Sequence, residues 1–425
     1  MSAAPLLVWA HGMRAAELHA DRRQGFVLAY TAEWLSWPDR YPFSPHLPLD
    51  RESSGAEVKN FFENLLPEGT ALDVAASTHR LSRHDCFGLL AKIGREAAGA
   101  LAILPGDEDY ARQTELRPLP QEEISARIRQ RPTVPFSIWD SKFRLSIAGF
   151  QDKLAVHIDA QMNMSLPNGA ASSTHIVKPD NANPDFPFMP ANEHFCMRLA
   201  AKMKLPVPEA RLLRIPEPLF CVARFDRRAA KDDNVERLHQ IDLCQVLNLP
   251  VEMKYQQSYT FSPEGATYAD LFRAAASTAT PAATELGMIR WAAFNYLIGN
   301  TDAHAKNISF FLDHQGLRLA PFYDMVCGTV YGAHDLALFI GEEEDIHLVS
   351  SLDWRELCGR CTISPQLLAA ELAMQARQWQ KWRDSLLDAP DYHDDERAFL
   401  RGIATDIDAR AARMASQAKE IKAPA

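Results

Sequence analysis

One stretch constrains the fold of this chain more than any other: Asn300-Thr301-Asp302-Ala303-His304-Ala305-Lys306-Asn307. An apolar segment from Trp291 to Gly299 leads into it, and Ile308, Phe310, Phe311 and Leu312 lead out. After a turn comes Leu319-Ala320-Pro321-Phe322-Tyr323-Asp324. The order is a carboxylate, a carboxamide five positions later, and a second carboxylate beyond a short hairpin-like piece. Asn307 and Asp324 offer the hard oxygens that magnesium prefers, and magnesium takes only one or two protein groups when phosphate supplies the rest. Asp302 suits a group that accepts or orients the proton of an attacking hydroxyl. Such a trio requires, upstream, a loop that covers phosphates and a lysine that neutralises them.

The 425 residues are enough for two or three domains. Hydrophobic residues make up 47% and charged ones 24%, a globular composition, and the apolar runs are too short and broken to span a membrane. Met1 to Trp9 carry no basic region with a long apolar run, so no signal peptide is expected and the expected compartment is the cytoplasm. A net charge of −10 disfavours general nucleic-acid binding, which depends on cationic contacts to phosphate, so any DNA role would run through a partner. The seven cysteines are odd in number and scattered, which argues against a disulfide framework. Cys358-Gly359-Arg360-Cys361 has no second pair or zinc-finger histidines beside it, so reduced cysteines at a helix border are expected.

In chain order, residues 1–105 read as a small α+β unit. Leu6 to Trp9, Gly25 to Tyr30 and Gly99 to Pro105 are strand-like, and helices start near Val58 and Asp85. The turn Gly94-Arg95-Glu96 reads as structural. Residues 106–140 read as a connection with one helix, Gln121 to Arg129. Residues 141–226 read as a small lobe. Phe143 to Ile158 form a hairpin around Ser146-Ile147-Ala148-Gly149, whose small tip lets backbone amides approach phosphate. Thr174 to Pro179 is a strand ending at Lys178, and Glu193 falls in the first turn of the following helix, as a cap or as a partner for Lys178. Two further strands end at Ala223-Arg224-Phe225, where the chain would pass to a larger helical lobe, 227–425.

Phosphoryl transfer is mostly positioning and electrostatics. Glycine-containing hairpin, strand lysine, helix glutamate, strand pair, helices, Asp-x-x-x-x-Asn, hairpin and Asp stand in the order a kinase needs. The expected fold is therefore α+β: bilobal and protein-kinase-like, with a small N-terminal α+β subdomain and a mainly helical C-terminal lobe. Lys306 lies between Asp302 and the two candidate metal ligands, within reach of the γ-phosphate, and His304 can shape the loop or reach phosphate. The chain departs from ordinary protein kinases twice. It lacks G-x-G-x-x-G, and its later aspartate stands in Tyr323-Asp324-Met325 rather than Asp-Phe-Gly.

The segments Ser146 to Lys153, Thr174 to Pro179, Arg224-Phe225-Asp226-Arg227, Leu238 to Asp242, Gly299 to Asn307 and Pro321 to Asp324 resemble the HipA family of bacterial serine/threonine kinase toxins. Asn60 to Gly69 and Asp85 to Leu90 resemble that family's first subdomain. The resemblance implies ATP and Mg2+, with Asp302 catalytic, Lys178 on the phosphates, and Asn307 and Asp324 holding metal. It implies nucleotide contacts from Ala148, Gly149, Phe150, Gln151, Asp152 and Lys153, from the hinge Ala223, Arg224 and Phe225, and from His304, Ala305, Lys306, Asn307, Tyr323 and Asp324. It implies autophosphorylation at Ser146, an aminoacyl-tRNA synthetase as substrate (the glutamyl enzyme first), and a HipB-type helix-turn-helix antitoxin that links the complex to DNA. The hinge departs from the family in carrying Ala223 where Glu is common, which leaves only a backbone contact there. Two other functions stay open on the residues alone: a small-molecule kinase, which shares the Asp-x-x-x-x-Asn and later Asp, and a non-catalytic corepressor acting with an antitoxin.

Overall fold

The structure, a computed structural model, describes residues 4–21, 23–106, 108, 110–111, 114–140, 142–144, 152–229, 235–257 and 265–422. The chain mixes helix and sheet and divides into two compact units. The first is Met1–Ala182, Leu213–Val251 and Phe310–Leu317; the second is Asn183–Leu212, Glu252–Ser309 and Arg318–Ala425. The division follows packing rather than chain order. No helix among the described residues is long and apolar enough to cross a membrane.

The first unit holds two larger sheets. One runs Ser53–Ser54, Gly25–Tyr30, Met13–Asp21, Leu6–Ala10, Ala102–Pro105, each strand antiparallel to its neighbour. Helix Ala56–Glu63 turns Val58, Phe61 and Phe62 inward at helical spacing. Helix Cys86–Ile93 starts where the Asp85 carboxylate accepts the Gly88 amide. Asn60 and Asn64, two residues of the N-terminal motif, donate to the backbone carbonyls of Asn248 and Leu249. Gln245 returns a bond to the Phe61 carbonyl, and His239 meets the Phe43 carbonyl. The N-terminal motif is thus bonded to the segment from Gln245 to Leu249. Burial pushes His239 down to about 4, so it is a neutral imidazole at neutral pH.

The second sheet is six-stranded, ordered Ala210–Arg214, Pro218–Ala223, His175–Pro179, Leu154–Ile158, Met164–Asn168, Glu115–Pro118; residues 213 and 214 of its outermost strand belong to this unit. The segment between Pro105 and Asp140 does more than connect, because Glu115–Pro118 pairs with Met164–Asn168. Leu154, Val156, Ile158, Val177, Leu219 and Cys221 form one face of the core with Ile124, Ile128 and Trp139. Alternation along the strands sends their neighbours to the other face.

A cluster of buried charge also lies within this unit. Glu96, from the turn Gly94–Glu96, meets Arg224, Arg227 and Arg237. Asp226 accepts from Arg224 and Arg227, each at 2.7 Å, and from the Gly99 amide. Burial pushes the Glu96 carboxyl up, but Arg237, Arg227 and Arg224 outweigh it and hold it at about 2. The same contest leaves Asp226 well below the usual carboxylate range. Burial and the neighbouring Arg224 pull Arg227 down to about 10.

The second unit is mainly helical: Met189–Lys202, Tyr268–Ala276, Pro281–Ile298, Ser351–Cys361, Pro365–Leu387 and Asp394–Lys422. Helix Pro281–Ile298 is apolar on nearly all sides and buries Met288, Trp291, Phe294, Tyr296 and Leu297. It ends at Gly299, which is left-handed at φ +73°. A Cβ at Gly299 would lie 2.6 Å from the Arg410 guanidinium. Arg410, fully buried on the last helix, donates to the Leu297 carbonyl at 3.0 Å and places a cation at the helix C-terminus. Glu193 lies beyond the first turn of Met189–Lys202 and is 1% exposed, so it does not cap that helix as expected. Cys358 and Cys361 end helix Ser351–Cys361 as free thiols. Burial pushes them up to about 11 and about 12, so neither is a thiolate at neutral pH.

Candidate active site

In the second unit the loop after Gly299 is built by carboxamides. Asn295 donates to the Trp291 carbonyl, Asn300 donates to Asn295 Oδ1 at 2.8 Å, and the Asp302 amide donates to Asn300 Oδ1 at 3.1 Å. Asn307 closes the loop: its Nδ2 donates to the Asp302 carbonyl at 2.7 Å. That bond commits the nitrogen end of the amide and leaves Oδ1 as the end a cation would use. His304, extended at φ −89° and ψ 175°, precedes the turn Ala305–Asn307 and is buried, as are Ala305, Lys306 and Asn307. The Asp302 side chain is exposed, and Tyr255 donates its phenol to Oδ1 at 2.8 Å.

Tyr323 ties the later aspartate to this loop. Its hydroxyl donates to the Lys306 carbonyl at 2.6 Å and meets Ser309 Oγ at 2.7 Å. Asp324, the next residue, is left-handed at φ +58°. A non-glycine residue rarely adopts this conformation, and such strain persists only where the surroundings impose it. Asp302, His304, Lys306, Asn307 and Tyr323 are thus joined by hydrogen bonds within one loop, and Asp324 follows Tyr323 directly. The donor set is hard oxygen, from Asn307 and Asp324, which fits a magnesium ion bound jointly with phosphate.

In the first unit, Lys178 stands on the sheet face turned away from the core, and Lys153 directly precedes strand Leu154–Ile158. Lys178 and Lys153 each adjoin the last pair of the antiparallel ladder, Val177 with Leu154. Both are buried, at 5% and 4%. Ala155, Ile176, Phe220 and Val222 share that face, and the Lys178 ammonium lies 5.8 Å from the Phe220 ring centre. Asp152 accepts the Phe136 amide, and burial pushes its carboxyl up. Ala223 ends its strand opposite His175, and the Arg224 amide donates to the Thr174 carbonyl at 2.8 Å. The Arg224 guanidinium is engaged by Glu96 and Asp226, and Phe225 packs edge-on to Phe311. Lys178 belongs to the first unit and Glu193 to the second. Ser146, Ala148, Gly149, Phe150 and Gln151 lie outside the described residues.

The HipA N-terminal domain model matches residues 6–104, and the HipA-like C-terminal domain model matches residues 145–382. The chain belongs to the HipA family. It is 32% identical over 408 residues to the serine/threonine-protein kinase toxin HipA of Shewanella oneidensis, covering 93% of this chain and 92% of that one. A Sinorhizobium fredii protein named as a kinase, Y4mE, is 34% identical over 369 residues, covering 84% and 85%. The solved Shewanella oneidensis HipA, in a complex with HipB and its operator DNA, matches with a TM-score of 0.88 at 32% identity, over 98% of this chain and 99% of that one. The chain is accordingly a HipA-type serine/threonine kinase toxin of a toxin–antitoxin system. As a kinase it uses ATP with a divalent cation.

Sequence reasoning missed Tyr255 and Arg410. Tyr255 was visible only as part of a loop after Leu249-Pro250, with no spacing relation to Asp302. Arg410 sits in the terminal helix, which reads as packing surface with interspersed charge, and nothing in the pattern sets this arginine apart.

Proposed function

We propose that the chain is an ATP- and Mg2+-dependent protein kinase with a bilobal, protein-kinase-like architecture. Residues 141–226 form its nucleotide lobe and 227–425 its catalytic lobe, after an N-terminal subdomain, 1–105, and a linking segment, 106–140. Asp302 takes the proton of the acceptor serine or threonine as that oxygen attacks the terminal phosphorus of ATP, whose bond to the ADP oxygen breaks so that ADP leaves. Asn307 Oδ1 and the Asp324 carboxylate hold Mg2+, which supplies neutralising charge to the phosphates. Lys178 and Lys153 neutralise phosphate from the sheet, and the loop containing Ala148 to Gln151 covers it. His304, Ala305, Lys306 and Tyr323 shape the site around the nucleotide. The hinge, Ala223 to Phe225, contacts the base through its backbone, since the Arg224 guanidinium is engaged elsewhere.

One observation carries this reading. Asn307 is bonded back to Asp302, and Tyr323, the residue before Asp324, is bonded to the same loop, which supports a shared site for the three. The partner is a HipB-type helix-turn-helix antitoxin that brings the complex to DNA. The substrate is a translation component, an aminoacyl-tRNA synthetase with the glutamyl enzyme first, and its phosphorylation arrests growth and promotes persistence. Ser146 is the self-inactivating acceptor. These last points rest on family resemblance. The test is incubation of purified protein with labelled ATP and Mg2+, alone and with cell extract. Label on a synthetase and on Ser146 is expected. Label on neither the protein nor any extract protein would contradict kinase activity.

A further inference from the structure

We infer that Tyr255 is a positioning residue for Asp302: its phenol fixes the catalytic carboxylate in the orientation that receives the acceptor's proton. The inference rests on the proposed role of Asp302 and goes beyond it. Tyr255 donates to Asp302 Oδ1 at 2.8 Å, while its ring meets His304 edge to face, with centres 5.0 Å apart. One aromatic side chain therefore touches two residues of the loop through different chemistry.

The backbone under Tyr255 is held independently of that contact. The adjacent Gln256 amide donates to the Ala337 carbonyl at 2.9 Å, and the Gln256 side chain accepts the Phe339 amide at 3.0 Å. Both belong to strand Asp335–Ile340, and the Ala337 amide donates to the Thr301 carbonyl at 3.0 Å. Thr301 directly precedes Asp302. Strand, tyrosine segment and loop form a closed ring of hydrogen bonds, so Tyr255 cannot drift without disturbing Thr301. On the other side, Ala266 donates to the Met253 carbonyl, and a Cβ at Gly265 would fall 1.9 Å from the Tyr255 carbonyl. A substituted residue does not fit there, so glycine lets the chain pass close behind the tyrosine.

An exposed aspartate side chain turns readily about its terminal torsion. A charge-assisted bond from a phenol removes that freedom. A carboxylate accepts more than one donor, so the phenol and an acceptor serine can share it. The alternative is a placeholder, a phenol that occupies the acceptor's bond and must leave before turnover. The contact with His304 and the anchored backbone favour positioning.

The discriminating variant is Tyr255→Phe, which keeps the ring on His304 and removes only the donor. The full-length protein is assayed with Mg-ATP and the labelled acceptor. kcat is expected to fall about tenfold, with KM for ATP and the melting temperature unchanged. Tyr255→Leu, which also removes the ring, should fall further. Unchanged kcat in Tyr255→Phe overturns the inference, as does a rise in kcat/KM for the acceptor, which identifies a placeholder. A fall in kcat that comes with an equal loss of melting temperature also counts against it. An inactive wild-type protein would instead refute the kinase reading itself.

Discussion

Two regions of this molecule gather carboxylates and treat them in opposite ways. Glu96 and Asp226 are enclosed by Arg224, Arg227 and Arg237, and their oxygens are consumed by guanidinium and amide donors. Asp302 lies at the surface, held by a phenol and by its own loop. In the first region charge is locked into the fold. In the second, the backbone is locked and the charge lies at the surface, where it accepts the Tyr255 phenol. A charged residue that reads alike in sequence is thus either architecture or chemistry, according to where its hydrogen-bonding capacity goes.

The largest expected effect on the architectural side comes from Glu96→Gln. It leaves the arginines short of a counter-charge, and breaking such a buried set costs about 3–5 kcal/mol of stability. Chemical denaturation measures it, and a loss under about 1 kcal/mol would show that the cluster is replaceable. The Glu96 carboxyl is lowered from 4.5 to about 2. Its contribution is therefore complete above pH 4.5 and lost as pH falls from there toward 2.

On the chemical side, Asp324→Asn should weaken Mg2+-dependent nucleotide binding by roughly tenfold or more while leaving stability nearly unchanged. Calorimetric titration with Mg-ATP checks this, and equal affinity would remove Asp324 from the metal site. A loss of stability instead would move it to the architectural class.

The smallest expected effect is a titration. His239 is buried on the Phe43 carbonyl and lowered from 6.5 to about 4. Its contribution is complete above pH 6.5 and lost as pH falls toward 4, by about 1 kcal/mol per pH unit. Stability of His239→Gln measured between pH 7 and 5 should be flatter than that of the parent; parallel curves would place the titrating group elsewhere.

What could be read from sequence was what the chemistry forces to lie close along the chain. Asp302 and Asn307 must share a loop, so their spacing carries the signal. Lys178 was legible as a strand residue, but the pairing of its neighbour Val177 with Leu154, beside Lys153, follows from ladder register. Contacts between distant residues left no trace. Glu96 and Arg224 are 128 positions apart, and the turn holding Glu96 reads as an ordinary bend. Asn60 and Asn64 reach Asn248 and Leu249 across wider gaps of 188 and 185 positions. Tyr255 is brought to Asp302 by the pairing of Gln256 with a strand that lies beyond both of them in sequence.

The most direct test is Asp302→Asn, measured for both phosphotransfer and stability. The side chain is exposed, and the loop backbone is held through Asn300, Asn307 and the Thr301 carbonyl. The account predicts a fall in phosphotransfer of about a hundredfold or more, with an unchanged melting temperature. A fully active Asp302→Asn protein, or one whose lost activity tracks lost stability, would contradict it.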